Sequence, residues 1–163
     1  GSVIPYFMNL SKNGNTIPIT HKDMTRFNIT LEEGVEMVIW AIENSMGGEI
    51  LVPKIPSYKI ETVARAISPG AKVKYIGIRP GEKIHEEMIT MSDSYSTIDA
   101  GKYYAILPTY ANKDLYLNHH HARPVEPGFR YNSGDNKDWL TVEKIRELIR
   151  LNIDKNFNPQ NNL

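Results

Sequence analysis

Two arginines in this sequence stand where an anion could be held. Arg79 opens Arg79-Pro80-Gly81-Glu82, a segment expected at the carboxyl end of a strand and the start of a helix, which is where open α/β sheets gather ligands. A guanidinium binds phosphate through charge-assisted hydrogen bonds of about 1.5–3 kcal/mol each, Gly81 permits close backbone approach, and Glu82 can accept from a ribose hydroxyl. The plainer alternative is a solvated turn with an Arg–Glu pair. Arg26, within Asp23-Met24-Thr25-Arg26-Phe27, joins Arg79 on one diphosphate if the two segments meet in space. Otherwise it pairs with Asp23 or Glu32 at the surface, an arrangement worth little. Pro18-Ile19-Thr20 can offer backbone polar groups to a flat base, though an ordinary edge strand looks the same.

The histidines point less clearly to chemistry. Adjacent side chains in His119-His120-His121 face different ways and no carboxylate pair at helical spacing joins them, so an exposed loop is expected and no metal site. His85 with Glu86 and Glu87 lacks a second histidine four residues on, which favours a helix surface or an ion pair. Trp40 and Trp139 are expected to fill core or interface space.

Several motifs are missing. None of the 11 glycines forms G-x-G-x-x-G or G-x-x-G-x-x-G, and none of the 9 tyrosines is followed by lysine at the fourth position. No serine elbow or P-loop occurs. The chain therefore has no visible catalytic residue, and it is not expected to bind a dinucleotide alone.

The elements that must position the arginines read as an alternation. Pro5 suits the first turn of a short helix from Val3 to Leu10. A turn at Lys12-Asn13-Gly14-Asn15 leads to an edge segment, Thr16 to Thr20, since proline is not accepted centrally. Thr30 and Glu33 form a capping box, and Leu31, Val35, Val38 and Ile42 make a stripe expected to face a core. A strand at Glu49–Val52 follows. Ser57 is expected to cap a helix bearing Ile60, Val63, Ala64 and Ile67. A strand from Lys72 to Ile78 and a helix from Lys83 to about Ile89 complete a strand-helix-strand-helix pattern, which argues for an α/β unit with parallel strands. From Ser92 to Asp138 the chain reads as a long irregular excursion with short pieces such as Tyr103–Leu107. Thr141 caps a last helix carrying Val142, Ile145, Leu148 and Ile149, before a polar tail from Asn156 to Leu163 expected to be disordered.

Composition sets the outer limits. At 163 residues with 40% hydrophobic content, one domain is expected. Its parts would be an α/β part over 1–91, the excursion and final helix over 92–155, and a tail over 156–163. Nineteen basic residues balance 19 acidic ones, so no bulk field draws the chain to nucleic acid or anionic lipid. With no cysteine, disulfides and thiolate chemistry are excluded. The longest apolar stretch, Val35 to Ile42, falls far short of the roughly 20 residues of a membrane span. No secretory signal is visible, and a soluble, cytoplasmic protein is expected.

Several segments together resemble a known family. They are Gly1-Ser2-Val3-Ile4-Pro5, Ile19-Thr20, Met24-Thr25-Arg26-Phe27 running into Thr30-Leu31-Glu32-Glu33-Gly34-Val35, Gly47-Gly48-Glu49-Ile50, Val52-Pro53-Lys54-Ile55-Pro56 and Gly77-Ile78-Arg79-Pro80-Gly81-Glu82-Lys83-Ile84-His85-Glu86. Phe129-x-Tyr131-x-Ser133 with Asn136 and Trp139-Leu140 adds a late match. This order resembles the C-terminal half of the polysaccharide-biosynthesis UDP-N-acetylglucosamine 4,6-dehydratases, extended short-chain dehydrogenase/reductases. The resemblance implies an incomplete Rossmann fold forming the substrate-binding part. It implies diphosphate contacts from Arg26 and Arg79, a ribose contact from Glu82, a uracil-facing wall at Pro18, Ile19 and Thr20, and Val3 and Pro5 near the nucleotide. NAD(P) and the catalytic set belong, on this resemblance, to an N-terminal Rossmann half. The implied partners are a UDP-sugar and that half, or a second copy. A UDP-sugar 4-epimerase half and a non-catalytic interaction module remain as alternatives.

Overall fold

A computed structural model describes residues 3–14 and 16–159. Gly1 and Ser2, Asn15 of the expected turn, and residues 160–163 of the expected tail lie outside the described residues. The elements in order are α1 (Val3–Asn13), β1 (Thr16–Ile19), β2 (Thr25–Phe27), α2 (Leu31–Asn44), β3 (Ile50–Pro53), β4 (Ser57–Lys59), α3 (Ile60–Ile67), β5 (Lys72–Tyr75) and β6 (Glu87–Ile89). A 3-10 turn at Asp93–Ser96, β7 (Thr97–Asp99), β8 (Tyr103–Ile106), α4 (Lys113–His119), β9 (Arg123–Pro124), β10 (Tyr131–Asn132) and α5 (Val142–Asn152) follow. The chain divides into two compact units.

The first unit takes the described residues through Asn28, Pro56–Glu86 and those from Asn136 onward. Its core joins α1, α3 and α5 through Phe7, Ile60, Val63, Ala64, Ile67, Ile145 and Ile149, with Ile17 and Ile19 beneath them. The expected face of α3 is thus the buried one. β1 and β5 pair in parallel, Thr16 opposite Lys72 and Ile19 opposite Tyr75. Pro18 fits because, among the described residues, this sheet has two strands and leaves β1 an edge. The other ladders are antiparallel, so the parallel expectation holds for this pair of strands alone among the described residues. The fold is mixed α/β.

Two expectations fail here for tertiary reasons. Ser57 does not cap α3; it lies in β4, where its N–H donates to Asp138 O at 2.9 Å and its Oγ accepts from Asn136 Nδ2 at 3.0 Å. The helix instead begins at Ile60, whose N–H donates to Met24 O. No helix forms over Lys83–Ile89. Thr25 N–H donates to Ile84 O at 3.0 Å and Phe27 N–H to Glu86 Oε2 at 2.8 Å, so this segment's acceptors go to the free side of β2 rather than to a helical ladder. At the other end, Phe157 is buried in the core and its N–H donates to Asp154 O. Composition alone reads the tail as loose, but over its described residues 156–159 one aromatic side chain, Phe157, is anchored in the core.

The second unit comprises Ile29–Ile55 and Glu87–Asp135. A four-stranded sheet in the order β3-β8-β7-β9 packs Ile98 and Ala105 against Leu107 and Tyr116. The expected irregular excursion therefore contains most of a sheet and a helix. Its Asn- and Pro-rich composition fills the connections, while Ile98, Tyr103 and Ala105 alternate inward. At the head of α2 the capping box forms in both directions, Glu33 N–H to Thr30 Oγ1 at 3.2 Å and Thr30 N–H to Glu33 Oε2 at 2.7 Å. The stripe it introduces is not core. Leu31 and Ile42 are 79% and 80% exposed, Val35 and Val38 about half exposed, and none of the 14 residues of α2 is buried. Trp40 makes the inward contact instead, against Tyr103 at 4.9 Å between ring centroids.

Candidate functional site

A cleft of about 980 Å³ in the first unit is lined from separate stretches of chain. Val3 and Pro5 come from α1, Pro18 and Ile19 from β1 with Thr20 just after it, Arg26 from β2, and Arg79 and Glu82 from the loop after β5. All eight residues singled out from sequence thus meet in one place. β1 and β5 end side by side there, with Ile76 N–H donating to Ile19 O at 2.9 Å.

Arg79 stands on a tight turn. Glu82 N–H donates to Arg79 O at 3.0 Å across Pro80 and Gly81, and Gly81 has φ +79°. Proline followed by a positive-φ glycine is the signature of a type II turn, and any side chain at Gly81 would be strained. The expected start of a helix at this point is replaced by this turn and an extended run. Glu82 Oε2 accepts from Arg79 N–H at 3.1 Å and its Oε1 lies 3.5 Å from Thr20 Oγ1. The carboxylate therefore braces the turn through the backbone. Among the described residues the Arg79 guanidinium enters no salt bridge, so the Arg–Glu side-chain pair of the plainer alternative is not formed.

Arg26 is held differently. Its Nη1 donates to Thr25 O at 2.6 Å and Ile84 O at 3.1 Å, and its Nε lies 3.6 Å from Glu86 Oε1. The alternative surface partners, Asp23 and Glu32, are not the ones used. With Nη1 committed to two carbonyls and Nη2 donating to Met24 Sδ at 3.5 Å, Arg26 supplies a fixed charge while Arg79 keeps its planar fork. His85, expected on a helix surface, instead meets Thr25 Oγ1 through Nδ1 at 2.8 Å.

Sequence reading missed Tyr58 and Glu86. Both line the cleft. Tyr58 stands opposite Arg26 across the β2–β4 ladder, a neighbour visible only once the strands are paired. Burial raises the Tyr58 hydroxyl above its ordinary pKa, Glu86 adds to the rise and Arg26 opposes it. The phenol stays protonated at neutral pH.

The residues present do not fit a dinucleotide. The positive-φ glycines Gly77 and Gly81 follow β5, but no helix starts there to receive a pyrophosphate, and Gly47 and Gly48 lie between α2 and β3. The histidine run also departs from its expected exposed loop: His119 ends α4 and the His120 side chain is buried. Among the described residues no three His, Asp or Glu side chains converge as metal ligands, and no helix is long and apolar enough to cross a membrane.

The model of the family described as polysaccharide biosynthesis protein matches residues 1–108. The chain belongs to that family. It is 42% identical over 156 residues to the inverting UDP-N-acetylglucosamine 4,6-dehydratase of Campylobacter jejuni serotype O:2, covering 91% of this chain and 47% of that protein. It is 34% identical over 165 residues to a UDP-glucose 4-epimerase of Rickettsia felis, covering 94% of this chain and 46% of that one. The X-ray structure of Pen from Bacillus thuringiensis superposes with a TM-score of 0.72 at 28% identity, over 91% of this chain and 45% of that one. The chain thus spans about half the length of the curated relatives it matches, in keeping with a C-terminal half.

Proposed function

We propose that this chain binds the UDP-sugar as the substrate-holding half of a UDP-N-acetylglucosamine 4,6-dehydratase working in surface polysaccharide or glycan biosynthesis. The observation that carries the reading is the convergence of Arg26, Arg79 and Glu82 with Pro18–Thr20 in one cleft. Arg79 takes the diphosphate with its free fork and Arg26 adds a fixed charge beside it. Glu82, already oriented by the Arg79 N–H, accepts from a ribose hydroxyl, and the end of β1 lies along the uracil with Val3 and Pro5 nearby. The chain supplies no catalytic residue in this reading. NAD(P) and the redox chemistry belong to a Rossmann half, on the same or a second polypeptide, and the site of action is the cytoplasm.

That half also gives the exposed stripe of α2 a function. A helix apolar on two faces belongs between two surfaces, and Trp40 covers only one. Docking of the Rossmann half on Leu31, Val35, Val38 and Ile42 completes the fold as an incomplete Rossmann unit requires; self-association is the competing occupant. The epimerase relatives support a second reading in which the same clamp serves a UDP-sugar 4-epimerase. Calorimetric titration of the chain with UDP, compared with Arg26→Ala and Arg79→Ala, tests the clamp. Binding weakened in both is expected, and equal affinity in all three overturns it.

A further inference from the structure

Tyr58 lines the cleft without a role in the reading above. β2 and β4 pair so that Tyr58 stands directly opposite Arg26, and opposite residues in an antiparallel ladder project to the same face with Cβ atoms about 4.5–5.5 Å apart. Tyr58 is only 9% exposed. A buried tyrosine ordinarily finds a partner for its hydroxyl, yet among the described residues the Tyr58 hydroxyl has none, although its backbone is fixed in the ladder and the residue belongs to the core with Met24 and Ile60. The hydroxyl is not one of the fully buried atoms left without a partner, so it opens onto the cleft and presents a donor at the wall of an anion site, next to an arginine with one nitrogen already spent on two carbonyls.

We propose that the Tyr58 hydroxyl donates a hydrogen bond to the diphosphate of the bound nucleotide, beside the Arg26 guanidinium. This rests on the nucleotide-sugar reading above. A neutral donor suits the position because Arg26 already faces Glu86, and a phenol adds a directed bond without another charge to desolvate. Burial and then Glu86 disfavour the phenolate against the pull of Arg26, so the hydroxyl remains a donor.

Tyr58→Phe removes one oxygen and keeps the ring. UDP and uridine are titrated into the wild-type chain and the variant, with circular dichroism checking the fold. Loss of a bond to a charged acceptor is expected to weaken UDP about tenfold and leave uridine within about twofold. If wild type binds UDP and the variant binds it equally well, the Tyr58 role is overturned while the nucleotide reading stands. Equal weakening of UDP and uridine, or a variant that fails to fold, marks the hydroxyl as structural and overturns it too. A wild-type chain that binds neither compound overturns both readings.

Discussion

Arg26 Nε lies 3.6 Å from Glu86 Oε1, while the other oxygen of the same carboxylate accepts from Phe27 N–H at 2.8 Å. One acidic side chain thus fastens the segment after the Arg79 turn to β2 and offsets the charge of the neighbouring arginine. The second effect subtracts from anion binding. Glu86→Gln keeps an oxygen for the Phe27 N–H and removes the charge, so the isostere separates the two roles. Glu86 is nearly half exposed, which puts the charge effect near the high-dielectric figure of about 1 kcal/mol at 4 Å. UDP affinity at low salt is expected to rise about fivefold, with the melting temperature little changed. A fall in affinity shows that the carboxylate orients Arg26 more than it competes with the ligand.

The two arginines are expected to separate in stability. Arg26 Nη1 donates to two backbone carbonyls, and Arg26→Ala takes the side-chain donor from Thr25 O, while Ile84 O keeps the Thr25 N–H, at a cost of about 1–3 kcal/mol. Arg79 is exposed and makes no ion pair among the described residues, so Arg79→Ala should stay within about 0.5 kcal/mol of wild type. Urea unfolding of the two variants measures this. Equal destabilisation would show that Arg79 is held in the fold.

What sequence conveyed about this molecule was local. The capping box of Thr30 and Glu33 and the Thr141 cap need only residues three apart, and both form as read. The face of α3 is legible for the same reason, since one helical period places Ile60, Val63, Ala64 and Ile67 together. Position after a strand pointed to Arg79, residue type joined Arg26 to it on the condition that the two segments meet, and the family resemblance implied that they do. The misses depend on distant partners. Nothing near Lys83–Glu86 reveals that Thr25 and Phe27 will take its acceptors, and nothing near Tyr58 reveals Arg26 across the ladder. Periodicity detected the apolar stripe of α2, but a period cannot say which surface covers it.

That stripe supplies a prediction about assembly. Because Val38 is more than half exposed in this chain, Val38→Lys removes no packed contact and should alter its own stability by no more than about 0.5 kcal/mol. The same charge buried against a second surface lacks a partner and is costly. Sedimentation velocity with a separately expressed Rossmann half is therefore expected to show a complex for wild type and none for Val38→Lys. Persistence of the complex would place the docking surface elsewhere, and a wild-type chain that dimerises alone, with Val38→Lys monomeric, would assign the stripe to self-association.

The histidine run makes a different contribution, through a clasp on the turn after α2. Tyr116 OH donates to Gly47 O at 2.8 Å, and His119 Nε2 lies 2.7 Å from Asn44 O. His120 Nε2 approaches Glu49 Oε1 at 3.5 Å, with the two side chains 2% and 0% exposed, a separation longer than an ordinary hydrogen bond. Burial, with His119 adding to it, holds the His120 imidazole below its usual 6.5 against the pull of Glu49. Burial pushes Glu49 up, but the N–H groups of Glu49, Met46 and Gly47 outweigh it, with help from His120, and hold the carboxyl below 4.5. A histidine depressed in the folded state binds fewer protons there than in the unfolded chain. Its contribution to stability is therefore complete above 6.5 and is lost as the pH falls through the depressed value. His120→Phe keeps a ring beside Trp40 and Tyr116 and removes the titration. Between pH 7.5 and 5.5, above the carboxylate range, wild type is expected to lose melting temperature faster than the variant. Parallel decline in the two proteins would show that acid acts elsewhere in the molecule.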